Sequence, residues 1–411
     1  MDDKLELFRA ALGLPEPWRV VETKFDPAAR RLDLYLDFAA GTRFPCPEGD
    51  EAACPVHDTT PKTWRHLDFF QHQAYLHART PRVSCPTHGV RQVGLPWARP
   101  GSGFTLLFEA LVAELVAEMP VKAVAELVGC DDARLWRVAH HYVDAARARL
   151  DLSGVTDVGV DETSAARGQD YISLFVDLNR AKGPRVLYAT EGRDAATVER
   201  FAADLRAHGG DPDAITDVTC DMSPAFIAGV SSHLTKAQIT FDRFHTIQLL
   251  TKALEDVRRA EAKLAPTLLK GTRYLWLKRP EHLTKRQKAE LEFLTVKHKA
   301  LATARAYRWR LQFDAFYDQP ADDAEAYLAR WRKGALRSRL EPLIAFARTV
   351  EEHWDGILRW HHKRINTGVL EAINSLVQAA KRRARGYRTK RNLIAMTYLI
   401  AGKLDFSVIH T

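Results

Sequence analysis

The sequence has few cysteines, no long apolar run and no start that resembles a secretion signal. Only 5 of the 411 residues are cysteine, and three of them lie between Cys46 and Cys85 among prolines and histidines, which fits a metal site in a reducing compartment better than a disulfide scaffold. The most apolar stretch, 104–119, is interrupted by glutamates and falls short of the roughly 18 uncharged residues that a membrane helix needs. The first residues, MDDKLELFRA, are acidic and amphipathic, unlike a signal peptide. The sequence therefore predicts a soluble cytoplasmic protein with no membrane partner.

The charge balance favours an anionic partner. The chain carries 60 Lys and Arg against 52 Asp and Glu, a formal net charge of +8. A mild excess alone is a weak signal, but many of these cations are clustered between residues 381 and 391, and such a cluster is typical of phosphate-binding surfaces. With 46% hydrophobic residues, the chain is long enough for two or three domains with their own cores.

Residues 1–100 are predicted to form a small β-rich module that binds zinc. The strict alternation in 31–38 is typical of a half-buried strand, and 63–83 contains two more strand-like runs. The motifs CPVH and CPTH are tight Cys-Pro-x-His turns, well apart in sequence, as in zinc ribbons. The alternative is a set of ordinary loop residues, against which the repeated motif argues. Zinc needs four ligands, and the sequence offers five candidates: Cys46, Cys54, His57, Cys85 and His88.

Residues 101–150 are predicted to form a helix-turn-helix domain. Apolar residues at helical spacing cover 104–119, and a proline then breaks the helix. A short helix, 121–128, ends at Gly129, after which Asp131 or Asp132 can cap a third helix. Three helices with a glycine in the turn before the last fit a helix-turn-helix, with a plain helical linker as the alternative. The candidate DNA-binding residues on the last helix are Arg134 and Arg137.

Residues 151–250 are predicted to form the first part of an α/β catalytic core. Three strand-like runs, the first over 155–160, are followed by helix, strand, helix and strand. An antiparallel meander followed by β-α-β units is the order of an RNase H-like fold. Residues 251–362 are almost purely helical and are predicted to be an all-α insertion, whose tryptophans are typical of a helical core. Residues 363–411 would complete the core with a basic helix.

Two acids stand at the predicted ends of central strands. Asp161 follows the run 155–160, and Asp221 follows a second strand, so that both carboxylates would point into one cleft. With a third acid they could hold two divalent ions, for which Mg²⁺ is suited, and act on phosphodiesters. Glu371 is our candidate for the third acid because basic residues follow it on its helix; a surface salt bridge is the alternative. The candidate phosphate-binding residues are Lys381, Arg382, Arg383, Arg385 and Arg388.

The run DRFH has two interpretations. His245 would lie near the metal site and contact the scissile phosphate, with Asp242 in support. Alternatively, Asp242 caps the helix that contains His245. Glu162 would point to the opposite face from Asp161 if the strand continues, because side chains alternate along a strand. Glu162 is therefore predicted to be dispensable for metal binding.

Several segments, in the right order, resemble the DDE transposases of the bacterial insertion-sequence family ISL3. VGVDETSAARGQDYISLFVDL is similar to the segment of the first catalytic acid, VTCDMSPAFIAGV to that of the second, and INTGVLEAINSLVQAAKRRARGY to that of the third. ITFDRFHTIQLL resembles the Asp-x-x-His hallmark, and the stretch from WRHLDFF to GSGFT resembles the zinc-binding N-terminal region. One departure is that Cys46 is followed by Pro-Glu-Gly, where the family usually has Cys-x-x-Cys.

The resemblance implies an RNase H-like enzyme that cleaves and joins DNA with Mg²⁺ or Mn²⁺, associated with the bacterial nucleoid. Its partners would be the terminal inverted repeats of an insertion sequence, target DNA and a second copy of the chain. The catalytic roles would fall to Asp161, Asp221 and Glu371, with His245 nearby. Two alternatives remain, an inactive transposase-derived DNA-binding regulator and an RNase H-type nuclease. The favoured Zn²⁺ ligands are Cys46, Cys54, Cys85 and His88, with His57 as an alternative.

Overall fold

The computed structural model describes residues 3–49, 53–168, 170–179, 183–278, 280–363 and 368–406. Two stretches of the predicted last segment, 364–367 and 407–411, lie outside the described residues. The chain divides into two compact units, 1–147 with 404–411, and 148–403. Within the described ranges, no helix combines the length and the apolarity needed to cross a membrane.

The first unit contains a β-rich module. Its strands form one sheet in the order β1-β2-β5-β4-β3, with β6 paired to β5. Every second residue of β2 is buried, which confirms the predicted alternation, since one face of this strand packs on the core. The elements are α1 (Asp3–Ala11), β1 (Arg19–Asp26), β2 (Arg31–Asp37), β3 (Arg43–Pro45), β4 (Ala53–Arg65), β5 (Gln73–Cys85) and β6 (Gly89–Gln92).

Three helices follow in the same unit: α2 (Leu106–Glu118), α3 (Val121–Val128) and α4 (Asp132–Arg147). The hydroxyl of Thr105 accepts a hydrogen bond from the amide of Phe108 and caps α2. Gly129 ends α3 with φ of 65°, in the left-handed region that favours glycine. Asp131 accepts a hydrogen bond from the amide of Ala133 at 2.9 Å. These caps explain why the helix boundaries were readable from the sequence.

The second unit is built on a five-stranded sheet in the order β11-β10-β7-β8-β9. The pairs β7/β8 and β8/β9 are antiparallel, whereas β10 runs parallel to both β7 and β11. Two helices, α5 (Ala195–Ala207) and α6 (Pro224–His233), share an apolar core with the sheet. The strands are β7 (Asp157–Ser164), β8 (Tyr171–Asp177), β9 (Arg185–Glu191), β10 (Asp217–Cys220) and β11 (Gln238–Phe241).

One predicted boundary is wrong. The first strand of this sheet does not end before Asp161 but continues to Ser164. The reason is the antiparallel neighbour β8, which pairs with β7 as far as Ser164. The parallel neighbour β10 stops pairing at Gly159. Asp161 is thus in the middle of a strand but beyond the end of the parallel ladder, where its side chain is only partly covered.

The helical segment shares one apolar core, which includes Phe241 of β11. Trp276 and Trp331 are buried in it, which confirms the prediction that the tryptophans belong to a core. Three short 3₁₀ turns lie at Pro212–Ala214, Pro280–His282 and Ala315–Asp318. The remaining helices are α7 (Arg243–Ala262), α8 (Pro266–Leu269), α9 (Arg273–Leu277), α10 (Lys285–Val296), α11 (Ala302–Asp314), α12 (Ala321–Leu336), α13 (Glu341–Glu352), α14 (Trp354–Lys363), α15 (Gly368–Arg383) and α16 (Lys390–Ala401).

Candidate active site and zinc site

Strand order brings three acids to one edge of the second sheet. Asp221 directly follows β10 and Asp242 directly follows β11. These two strands are parallel to each other and to β7, and the carboxyl ends of parallel strands meet at the same edge. Asp161 of β7 lies two residues beyond Gly159, the last residue that pairs with β10. The three carboxylates therefore face one region of the molecule.

The local contacts of these acids differ. Asp221 accepts a hydrogen bond from the amide of Ser223 at 2.9 Å. Asp242 is buried and caps α7, accepting from the amide of Phe244 at 2.7 Å. Its second oxygen lies 3.1 Å from Nδ1 of His245. Asp242 thus caps its helix, as one of the two interpretations of DRFH requires, and it also orients the imidazole ring.

The acidic groups and His245 interact electrostatically. Burial raises the pKa of Asp161 to about 6, with Asp242 and Asp221 adding to the effect and His245 opposing it. Burial also raises the pKa of Glu162 to about 7, with Asp221 the next largest cause. Burial lowers the pKa of His245, but the hydrogen bond to Asp242 and the charges of Asp242, Asp161 and Asp221 together outweigh it, so the net shift of this pKa is upward. These groups form one negatively charged cluster.

Glu162 belongs to this cluster through its charge, although Asp161 and Glu162 face opposite sides of β7. The carboxylate of Asp161 contacts α15, whereas Val158 and Val160, in register with Glu162, belong to the core shared with α5 and α6. From this alternation the sequence analysis predicted that Glu162 is dispensable for metal binding. The cluster's edge position lets Asp221 influence both carboxylates.

Helix α15, which contains the last predicted acid, lies along β7. The length of the helix from Leu370 to Lys381, at about 1.5 Å per residue, equals the length of the strand from Gly159 to Ser164, at about 3.3 Å per residue. The two elements therefore stay in register. Four side chains of α15 contact β7 in order: Leu370 on Gly159, Asn374 on Asp161, Gln378 on Thr163 and Lys381 on Ser164.

Glu371 stands in the first turn of α15 with an exposed side chain. Asn374 is three residues further on, and residues three apart on a helix are neighbours. The Nδ2 atom of Asn374 donates to the carboxylate of Asp161 and, at 3.3 Å, to the carbonyl oxygen of Glu162. Sequence reasoning did not select Asn374. Its i+3 spacing from the candidate acid was the available signal.

Three of the basic residues after Glu371 line a second feature. A cavity of about 650 Å³ lies between the connection of β7 to β8 and the end of α15. Its lining includes Arg167, Lys381, Arg382 and Arg385. Lys381 also donates to the carbonyl oxygen of Ser164 at 2.6 Å, which fixes it to β7. Arg383 and Arg388, also predicted to bind phosphates, are exposed but do not line this cavity.

The two arginines predicted for the recognition helix have different surroundings. Arg137 is exposed on α4. The guanidinium of Arg134 lies 4.2 Å from the centre of the Phe104 ring, and its Nη2 atom is 3.5 Å from the carbonyl oxygen of Gly103. Arg134 thus contacts its own domain, whereas Arg137 is available to a partner.

Strand pairing in the first unit brings the predicted zinc ligands together. Phe44 pairs with Cys54 across β3 and β4, so Cys46 leaves the hairpin close to Cys54. Cys85 pairs with Gly89 across β5 and β6, which places His88 in the intervening turn. Strand pairing thus brings Cys46 near Cys54, although the two are further apart in the sequence than the cysteines of the usual Cys-x-x-Cys turn.

The ligand distances suit zinc. The sulfur atoms of Cys46 and Cys85 each lie 3.5 Å from Nδ1 of His88. Tetrahedral Zn²⁺ with bonds of about 2.3 Å to sulfur and about 2.1 Å to nitrogen puts these atoms about 3.6 Å apart. Burial, and then the neighbouring Cys85 thiol, raise the pKa of Cys54. His57 lies 3.3 Å from Asp58 instead. Among the described residues, only Cys46, Cys85 and His88 bring three metal-ligand atoms within 4.8 Å of one another.

Three family models match the chain in the order of its parts. The zinc-finger of transposase IS204/IS1001/IS1096/IS1165 matches residues 42–88, and the helix-turn-helix domain of transposase family ISL3 matches 94–143. The ISL3 transposase domain matches 158–397. These parts define a DNA transposase. The chain belongs to the ISL3 family of insertion-sequence transposases.

Curated relatives align with nearly the whole chain. The transposase for insertion sequence element IS1557 of Mycobacterium tuberculosis is 28% identical over 434 aligned positions, which cover 96% of this chain and 95% of the relative. The transposase for insertion sequence element IS1001 of Bordetella parapertussis is 28% identical over 384 positions, which cover 90% and 91%. The similarity therefore extends through the zinc, helix-turn-helix and transposase parts together.

Proposed function

We propose that the second unit is an RNase H-like catalytic core, interrupted by the helices from α7 to α14, that cleaves and joins DNA. The sheet order β11-β10-β7-β8-β9, antiparallel on one side of β7 and parallel on the other, supports this fold. The single observation that carries the function is the convergence of Asp161 and Asp221 at one edge, where α15, the helix that contains Glu371, contacts Asp161 through Asn374.

In this proposal Asp161, Asp221 and Glu371 hold two divalent ions, Mg²⁺ or Mn²⁺. The donor set fits, because hard cations prefer carboxylate oxygens and Mg²⁺ binds through a few carboxylates together with phosphate oxygens. Burial, with a smaller contribution from the neighbouring acids, raises the pKa of Asp161, and a bound cation would favour its ionised form. When bound, such ions activate a water or a 3′ hydroxyl and stabilise the leaving oxygen of an in-line displacement.

The chain's own groups have distinct tasks. Asp242 holds His245 by the 3.1 Å contact, so that the imidazole can donate to a non-bridging oxygen of the scissile phosphate. The basic side chains at the end of α15 would bind phosphates on either side of the scissile one in the DNA strand. Lys381, one of them, is hydrogen-bonded to β7. Glu162, on the other side of β7, is expected to be dispensable for metal binding.

The first unit would recognise the terminal inverted repeats. Zn²⁺ held by Cys46, Cys54, Cys85 and His88 would fix the hairpins of the small module. The helix α4 would enter the major groove with Arg137, since a helix-turn-helix reads bases with its last helix. Because two ends of an element must be paired, the active species in this proposal is a homodimer bound to both ends and then to target DNA.

The test is strand cleavage of a DNA fragment that carries the element's terminal repeat, in Mg²⁺ and in Mn²⁺. D161N, D221N and E371Q are expected to lose cleavage while they still bind the fragment, and E162Q is expected to cleave. Cleavage by one of the first three variants at the wild-type rate would remove that acid from the site. Repeat binding without cleavage by the wild type would favour a DNA-binding regulator, and preferred cleavage of RNA–DNA hybrids would favour a nuclease.

A further inference from the structure

Asn374 connects the third-acid helix to the first acid. Its amide nitrogen donates to the carboxylate of Asp161 and to the carbonyl oxygen of Glu162. A backbone carbonyl can only accept, and so can an ionised carboxylate. Both partners therefore require the NH₂ group of Asn374 to face them. The orientation of this amide follows from the chemistry of its neighbours.

The other end of the amide is buried and unsatisfied. Within the part of the chain that the structure describes, no donor lies within hydrogen-bond distance of Oδ1 of Asn374, and this atom is shielded from solvent. A buried acceptor without a donor costs free energy, so such an atom usually has a partner, either a protein group or an ordered water. The oxygen is on the same small, planar group that contacts Asp161, and it therefore lies beside the acid cluster.

A metal-bound water is a donor that would satisfy Oδ1 of Asn374. Mg²⁺ dehydrates reluctantly and keeps several waters when carboxylates hold it. Such waters donate hydrogen bonds but accept few. An acceptor oxygen next to a metal-binding carboxylate, with its nitrogen fixing that carboxylate, is the arrangement by which outer-shell groups orient ligands and tune affinity.

We propose that Asn374 is a positioning residue of the divalent-metal site. Its nitrogen holds the carboxylate of Asp161 in the orientation that binds the ion, and its oxygen accepts a hydrogen bond from a water of the ion's shell. This inference rests on the proposed function of Asp161 as a metal ligand. It adds a fourth side chain to that site.

Gln378 provides a matched control on the same helix. It donates to Thr163 at 2.7 Å and to the carbonyl oxygen of Ser164 at 2.9 Å, one turn after Asn374. It therefore fastens α15 to β7 through two hydrogen bonds without touching an acid. If Asn374 only fastened the helix, its removal and that of Gln378 would have the same effects.

The experiment measures Mn²⁺ binding to the full chain without DNA, by electron paramagnetic resonance of the free ion. Wild type, D161N, N374L, N374A and Q378L are compared after zinc loading, with folding checked by thermal melting. N374L and N374A are expected to bind Mn²⁺ about 10–100-fold more weakly, as outer-shell substitutions do. Q378L is expected to stay within about threefold of wild type. Two Asn374 variants are used so that one poorly folded protein does not decide the outcome.

The outcomes separate the two levels of the proposal. Loss of Mn²⁺ binding in D161N, together with wild-type affinity in a folded Asn374 variant, overturns the role of Asn374 alone. Equal weakening in N374L and Q378L also overturns it, since a common effect indicates helix fastening. Unchanged Mn²⁺ binding in D161N overturns both the metal site and the inference built on it. In cleavage assays, N374A should recover part of its rate at higher Mn²⁺, whereas D161N should not.

Discussion

Leu370 of α15 lies so close to Gly159 of β7 that a Cβ atom at Gly159 would be 2.6 Å from its Cδ2 atom and 3.1 Å from its Cδ1 atom. A Cβ atom at this position would therefore force the side chain of Leu370 to shift. The contact sets the distance between the strand that carries Asp161 and the helix that carries Glu371. In the proposed metal site, the spacing of these two acids would depend on this packing.

Gly159→Ala should destabilise the protein by about 1–3 kcal/mol, because an added methyl group overpacks the contact. Leu370 is itself buried, so its side chain would have to repack to admit the methyl group. Leu370→Ala in the same background should cost less than it does alone, since the alanine relieves the clash. Urea unfolding of the two single variants and the double variant checks this. Strictly additive losses would contradict the coupling. Gly94→Ala, with open space around the site of its Cβ, is the control.

His88→Ala should abolish stoichiometric zinc binding, whereas His57→Ala should leave it intact. The reason is that His88 lies 3.5 Å from two cysteine sulfurs, while His57 lies beside Asp58. Zinc content by mass spectrometry and thermal melting with and without a chelator measure the effect. Removal of zinc should lower the melting temperature of wild type and H57A. Zinc loss in H57A instead would reassign the fourth ligand.

Glu109→Ala should cost about 3–5 kcal/mol of stability, as expected when one partner of a buried ion pair is removed. Glu109 is fully buried and accepts from Arg99 at 2.8 Å, from Ser102 at 2.6 Å and from Tyr142 at 2.9 Å. It thereby ties α4 and the segment before α2 to α2. Glu118→Ala, at an exposed position of the same helix, should change stability by less than about 0.5 kcal/mol. Similar losses in both variants would argue against the network.

His66 should make the protein less stable as the pH falls from about 6.5 to about 4. Burial and the neighbouring Arg65 lower the pKa of His66 from 6.5 to about 4, and its Nδ1 atom lies 2.9 Å from the hydroxyl of Thr105. The unfolded chain binds the proton first, so stability is lost through this window and the loss ends below pH 4, up to about 3 kcal/mol. His66→Gln should flatten the profile measured by denaturant unfolding. His282→Gln, at an exposed site, should not.

Arg137→Ala should weaken binding to repeat DNA at low salt and reduce the salt slope of log K by about 1 if the contact is to a phosphate. If Arg137 reads a base, the slope should stay unchanged and sequence preference should relax. Arg134→Ala should mainly lower the melting temperature, since this side chain lies over Phe104. Fluorescence anisotropy at several salt concentrations separates these outcomes. A larger binding loss in R134A than in R137A would reverse the assignment.

The sequence alone determined the elements with strong local signals. The helices α2, α3 and α4 have boundaries that Thr105, Gly129 and Asp131 encode through capping and a left-handed turn. The alternation in β2 and the order of strands and helices along the second unit were likewise readable, because they follow from hydrophobic spacing and turn signals. Motif resemblance indicated the family, and the family models and relatives confirm it.

Only the tertiary structure decided how far β7 extends and what surrounds its acids. Asp161 ends the readable apolar pattern, but the antiparallel ladder with β8 continues the strand past it, and pairing between distant segments leaves little trace in local sequence. The same holds for Asn374 on Asp161 and for Gly159 under Leu370. These contacts join residues more than 200 positions apart. They occur because α15 and β7 stay in register along one face of the sheet.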